Sequence, residues 1–150
     1  MAETPGACLT LSSSQIALIR EAAERGYPEE VCGILIGRPM PGGGHSVVRV
    51  VPTSNDAESE RSTRYVVPPA ALLREQRRAR EDGFEMIGFY HSHPDHAARP
   101  SKHDRVLAWP WYTYIIVSVA DGTAVDTSAW RLAADRSRFE PQALTVETDT

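Results

Sequence analysis

Hydrophobic and polar positions along this chain switch between two periods, and the switches mark out its elements. Cys8-Leu9-Thr10-Leu11 alternates as a short strand does. Ser12-x-x-Gln15 has the form of a helix capping box, and Ile16, Ile19, Ala22 and Ala23 then share one helical face that ends at Gly26 and Pro28. Val31 to Gly37 is an unbroken apolar run between turn residues, which predicts a central strand with Glu30 at its entrance. After the turn Met40-Pro-Gly-Gly-Gly44, His45 to Val51 predicts a strand antiparallel to it.

Pro52 to Ser62 is polar, acidic and without periodicity, and reads as a loop before a short strand at Arg64 to Val67. Pro68-Pro69 opens a helix whose inner face is expected to carry Leu72, Leu73, Gln76 and Ala79, with Gly83 at its end. Phe84 to Tyr90 is apolar and aromatic and predicts a buried strand running into His91-Ser92-His93. It should stop at Pro94, which cannot donate to a sheet ladder. A loop leads to Ser101-x-x-Asp104, after which Val106, Leu107, Trp109 and Trp111 supply apolar surface. Trp111 to Val119 predicts a core strand, Asp121-Gly122 a turn, and Ser128 to Leu132 and Ala143 to Val146 the last strands. The order is an α/β one, a mixed sheet flanked by helices, in a single domain over residues 8–146 with loose ends at 1–7 and 147–150.

Composition narrows the function classes. A net charge of −4 argues against a protein held to nucleic acid by phosphate contacts. All sixteen basic residues but Lys102 are arginine, which reads as coding bias rather than as a site. Two cysteines, Cys8 and Cys32, build no disulfide framework and suit a reducing cytoplasm. No apolar run approaches membrane-spanning length, and no signal-peptide pattern opens the chain, so the expectation is a cytoplasmic protein with no membrane partner.

Chemistry concentrates around the histidine pair. Residues two apart on a strand share a face, so His91 and His93 project together. With the Asp104 carboxylate they make three N/O ligands, and three protein ligands with one position left for water describe a catalytic zinc site rather than a structural one. Two readings compete at Ser101-x-x-Asp104, because the same spacing makes a helix capping box. His96 and His103 are expected to be exposed or outside the ligand set. Cys32 reads as a small core residue, and Ser92 as a structural residue on the opposite strand face.

His-Ser-His-Pro followed by Ser-x-x-Asp, with Glu30-Val31-Cys32-Gly33 upstream, resembles the JAMM (MPN+) zinc metallopeptidases, and the likeness runs from about Leu9 to about Arg131. The resemblance implies an α/β sandwich of the MPN/JAB1, deaminase-like type. It implies one zinc ion held by His91, His93 and Asp104, with Glu30 as general base and Ser101 as oxyanion donor. Glu29 competes for the base role, and the spacing to Cys32-Gly33 favours Glu30.

The stretches where eukaryotic deubiquitinases of that family carry long insertions, 52–62 and 120–126, are short here. The resemblance is therefore to compact prokaryotic members, and it implies cleavage after the C-terminal Gly-Gly of a ubiquitin-like sulfur-carrier protein, releasing an amino acid such as cysteine or a short extension. An isopeptidase that removes a ubiquitin-like modifier from lysines is the alternative. A metal-free binding scaffold is a third reading, disfavoured because the full ligand set is present. The sequence leaves open whether the protein is a monomer or a homodimer.

Overall fold

The computed structural model describes residues 8–149. The expectation for residues 1–7 lies outside them. Among the described residues the chain forms β1 (Leu9–Ser12), α1 (Ser13–Gly26), β2 (Cys32–Pro39), β3 (His45–Thr53), α2 (Pro69–Glu81), β4 (Glu85–Pro94), α3 (Lys102–Leu107), β5 (Thr113–Ala120), β6 (Thr123–Leu132), β7 (Phe139–Gln142) and β8 (Leu144–Glu147). The eight strands form one sheet in the order β7-β6-β5-β4-β2-β3-β1-β8. Pairings β2–β3, β2–β4, β5–β6 and β6–β7 are antiparallel, whereas β4–β5, β1–β3 and β1–β8 are parallel.

Local sequence explains the ends. The Ser12 hydroxyl accepts from the Gln15 amide while the Gln15 side chain accepts from the Ser12 amide, so α1 starts on the expected capping box. Asp121 and Gly122 both take positive φ, the geometry a two-residue hairpin needs to match strand twist, and they join β5 to β6. One core cluster packs Ile19 and Ala23 of α1 against Leu35, Tyr90, Ile115 and Val117. A second packs Ala71 and Ala79 of α2 against Ile34 and Ile36. The central strands β2, β4 and β5 are thus buried between elements, as their unbroken apolar runs require.

Four expectations need correction. Arg64 to Val67 is not a strand; it is an extended loop whose Val66 amide donates to the Asn55 side chain and whose Val66 carbonyl accepts from the Asp56 amide. Its backbone groups are satisfied by two adjacent loop residues, Asn55 and Asp56, instead of a ladder. The face of α2 turned to the sheet is Ala71, Glu75 and Ala79, with Leu72 at its flank, while Leu73 is 65% exposed and Gln76 is exposed. Ala71 and Ala79, at i and i+8 with Glu75 between them at i+4, seat the helix on the sheet, and Leu73 and Gln76 are turned outward. β7 was not foreseen, because Pro141 demotes the segment; it pairs on one side only, where a proline is tolerated. Residues 147–149, expected as a loose end, instead continue β8 through Glu147 and tie Asp149 to the start of α1, its carboxylate accepting from the Ser13 and Ser14 hydroxyls and the Ser14 amide. Those hydrogen bonds, from Ser14 and Ser13, pull Asp149 down to about 2.

Candidate active site

The parallel pair β4–β5 cannot be closed by a hairpin, so the chain leaves the C-terminal end of β4, makes α3 and returns to β5. The crevice beyond the carboxyl ends of parallel strands is where such sheets place ligands. His91 and His93 stand at that end, buried and on one face of β4. Asp104, in the first turn of α3, meets them. Its Oδ2 lies 3.2 Å from His91 Nε2 and 3.0 Å from His93 Nε2, and the two Nε2 atoms are 3.2 Å apart. Among the described residues these three form a group whose ligand atoms could hold one metal ion.

The tautomers fit that use. His93 Nδ1 donates to the Ala97 carbonyl at 2.8 Å, which leaves Nε2 with its lone pair aimed at Asp104 and His91. In neutral His93 that lone pair and the Asp104 oxygen thus face each other beside His91 Nε2, an arrangement that a cation would relieve. Tyr65 stacks on His91 with centroids 4.4 Å apart and planes 21° off parallel, which fixes the ring. Burial pushes His91 below its ordinary value. Burial also works against the charged form of His93, but in that form both ring N–H groups would donate, to Asp104 and to the Ala97 carbonyl, and this outweighs burial and raises His93. For Asp104 the cost of burial is likewise outweighed, by His91, by hydrogen bonds from both histidines and by the Ser101 amide, and the carboxyl is held well below the usual range.

The capping reading of Ser101-x-x-Asp104 is realised, in a geometry that leaves the metal reading open. The Ser101 hydroxyl accepts from the Asp104 amide at 3.0 Å, and Asp104 Oδ2 accepts from the Ser101 amide at 2.9 Å, completing a capping box. The same Oδ2 faces the histidines. Since the Ser101 oxygen serves the cap as an acceptor, its O–H remains to donate, and Ser101 lines the adjoining pocket.

Glu30 reaches the group through strand register. Cys32 pairs with His91 across β2 and β4, so the same register sets Val31 against Ser92 and brings Glu30 beside His93. The loop that follows β3 clamps this position: the Glu30 amide donates to the Arg61 carbonyl at 2.7 Å, and Asn55 Nδ2 donates to the Glu30 carbonyl at 2.9 Å. Glu30 is buried, its Oε1 has no hydrogen-bond partner, and burial pushes it up to about 8. Glu29 is exposed. His96 is exposed and His103 half-buried, and neither joins the group. Burial raises the Cys32 thiol to about 11, which suits a core residue and not a nucleophile.

Sequence reasoning missed Asn55 and Tyr65. An Asn inside a loop without periodicity gives no local sign of its two-sided bracing role, although Asn is prone to such bonds. Tyr65 also lines a groove of about 700 Å³ with Leu72, Leu73, Phe89, Trp109 and Tyr112 among its walls. Leu107, Trp109 and Trp111, expected as apolar surface, are all more than 45% exposed along this edge, and Trp109 stacks on Trp111.

Residues 12–133 match the family model described as prokaryotic homologs of the JAB domain. The chain belongs to this family. The match spans Glu30 and the whole His91–Asp104 segment. Two curated relatives agree. One is named Desampylase, from Haloferax volcanii, and is 37% identical over 66% of this chain and 69% of its own length. The other is named Probable TtuB-protein conjugate cleaving protease, from Thermus thermophilus, and is 31% identical over 75% of this chain and 67% of its own length. A protein from Desulfitobacterium hafniense solved in solution superposes with a TM-score of 0.80 at 28% identity, covering 94% of each chain. A JAB1/MPN domain protein from Archaeoglobus fulgidus, 20% identical, shares the fold with a TM-score of 0.56 over 92% of this chain and 98% of its own. The prokaryotic JAB chain is thus an α/β protein of the JAB1/MPN type.

Proposed function

We propose that this prokaryotic JAB protein is a zinc-dependent metallopeptidase that hydrolyses the amide bond after a C-terminal Gly-Gly of a ubiquitin-like sulfur-carrier protein, releasing an amino acid such as cysteine or a short extension. His91, His93 and Asp104 would hold one zinc ion per chain. Two imidazole nitrogens and one carboxylate oxygen are the donor types zinc takes in catalytic sites that keep a position open. When bound, zinc would lower the pKa of its water to about 7 and polarise the scissile carbonyl.

One observation carries the reading: a buried carboxylate oxygen with no partner of its own, Glu30 Oε1, belongs to the pocket that His93 and Ser101 also line. Glu75 Oε1 is likewise buried without a partner, but Glu30 alone of the two stands in the pocket with His93 and Ser101, where a carboxylate free of other partners suits proton exchange. Glu30 takes the proton of the attacking water and hands it to the leaving amine. Ser101 directs its free O–H at the oxygen on which charge develops. The groove that begins at Tyr65 receives the carrier's tail ahead of the Gly-Gly, because it is continuous with the ring stacked on His91. Glycines at the scissile position let the chain pass close to the backbone around Glu30 and His93.

A second reading, an isopeptidase that removes the modifier from lysine side chains, is favoured by the Thermus relative, whose name specifies cleavage of a protein conjugate. The two readings share the site and differ in the leaving amine. Mass spectrometry of zinc-loaded enzyme with both substrate types separates them. The first expects rapid loss of a C-terminal residue from the extended carrier, with lysine-linked conjugates cut slowly. Rapid cleavage of conjugates beside an intact extended carrier makes the second reading the function.

A further inference from the structure

The groove and the pocket meet at the histidine pair and differ in character. Tyr65, stacked on His91, belongs to the apolar groove, whereas Glu30 and His93 belong to a pocket of about 310 Å³. On the peptidase reading above, on which this inference rests, Glu30 returns its proton to the leaving amine, so the leaving residue sits on the pocket side. About 300 Å³ is the lower end of the range for small-ligand pockets, enough for one amino acid.

Arg99 lines this pocket. It also lines the recess beyond it, together with Lys102, Arg105 and Arg138. Arg105 donates to the Arg136 carbonyl, and Arg138 lies 3.6 Å from Glu140. The Arg99 guanidinium makes no hydrogen bond or ion pair with any described residue; only its backbone amide is engaged, by the Ala97 carbonyl. A chain of net charge −4 therefore turns a cationic wall toward the side where the amine departs, and the arginine that lines the pocket with Glu30 is uncommitted.

We propose that Arg99 is a specificity-determining residue whose guanidinium binds the free α-carboxylate of a single C-terminal residue leaving after Gly-Gly. In such a substrate the carboxylate carbon is attached to the same Cα as the scissile nitrogen, so it must enter the pocket with the amine. The planar fork of arginine matches a carboxylate bidentately. A lysine ε-amine in a conjugate brings no carboxylate into that position, because its own is far along the side chain and tied in a peptide bond. Arg99 thus selects terminal-residue release over isopeptide cleavage without touching the reacting atoms.

The test uses the full zinc-loaded chain and labelled decapeptides ending in Val-Gly-Gly-Ala, as the free acid and as the C-terminal amide, with a third in which Val-Gly-Gly acylates a lysine ε-amine. Wild type is expected to cut the acid with kcat/KM about tenfold or more above the amide, the range of a hydrogen bond to a charged group. Arg99→Gln should bring the acid down to the level of the amide, leave the amide rate and zinc content unchanged, and Arg99→Lys should restore part of the preference. In the Glu30→Gln background, where turnover is blocked, calorimetry should find the acid bound tighter than the amide, and the difference should vanish in Glu30→Gln/Arg99→Gln. Equal rates on acid and amide in wild type, or a preference that survives Arg99→Gln, overturn the assignment of Arg99 and leave the peptidase reading standing. Failure to cut any of the three peptides overturns both together.

Discussion

Ser92, the residue between the two histidines, accepts a hydrogen bond on its Oγ from the amide of Val31 at 2.8 Å, and its own amide donates to the Val31 carbonyl at 3.1 Å. The pair continues the β2–β4 register one step past the end of β2 and thereby fixes the height of Glu30 relative to His93. The strand face that turns away from the site is what positions the carboxylate on it.

Ser92→Ala tests that relationship. It keeps the backbone bond and strips the Val31 amide of its acceptor, and an unsatisfied buried donor costs about 1–3 kcal/mol. The expected outcome is a stability loss of that size in urea unfolding, unchanged zinc stoichiometry and a lowered kcat. A variant with wild-type kcat would show that Glu30 is positioned by other contacts.

Glu30→Gln should retain the fold and one zinc per chain while kcat falls by about 10²–10⁴-fold, because an amide cannot accept the proton. Glu29→Gln, at an exposed site, should be silent. Steady-state assays of the two variants side by side decide the assignment, and a dead Glu29→Gln beside an active Glu30→Gln reverses it.

On the proposed reading Asp104 serves metal and helix cap together, so its loss would have two separable effects. Asp104→Ala should lose zinc by elemental analysis, since two imidazoles remain, and should loosen α3. Asp104→Asn can still accept from the Ser101 amide but is a poor anionic ligand. It is expected to keep α3 by hydrogen exchange while binding zinc weakly. Full zinc occupancy in both variants would assign Asp104 to the cap alone.

Gly33 lies under the ring of Tyr90, which is fully buried, and a Cβ built there would overlap that ring. Gly33→Ala is expected to destabilise by about 1–3 kcal/mol or more, the cost of overpacking a closed core. Thermal unfolding measures it, and Tyr90→Leu in the same chain should recover part of the loss by vacating the space.

Trp109→Ala should raise KM for a carrier whose tail lies in the apolar groove and leave kcat nearly unchanged, because the ring borders the groove and does not join the histidine group. A fall in kcat at constant KM would place the indole's influence at the chemical step instead.

Most of the strand and helix order was legible in the sequence, as were the candidate residues that the fold brings together. Period-two alternation and unbroken apolar runs report burial directly, so β2, β4 and β5 were legible. His91 and His93 were placed on one face by strand geometry, Asp104 joined them as a third N/O donor, and Glu30 and Ser101 came through the family likeness. What tertiary structure alone decided is everything that depends on partners distant along the chain. Pairing β4 with β2 antiparallel and with β5 parallel brings Glu30 and Asp104 to the same histidines from opposite directions. Segment 64–67 has the composition of a strand, yet Asn55 captures its backbone and turns it into a brace for Glu30. Leu73 looks like core by periodicity, but Ala71, Glu75 and Ala79 take the sheet-facing positions of α2 and leave it on the groove. Local pattern encodes which residues prefer to be buried; which surface buries them is set by packing between elements, and that is where this site is made.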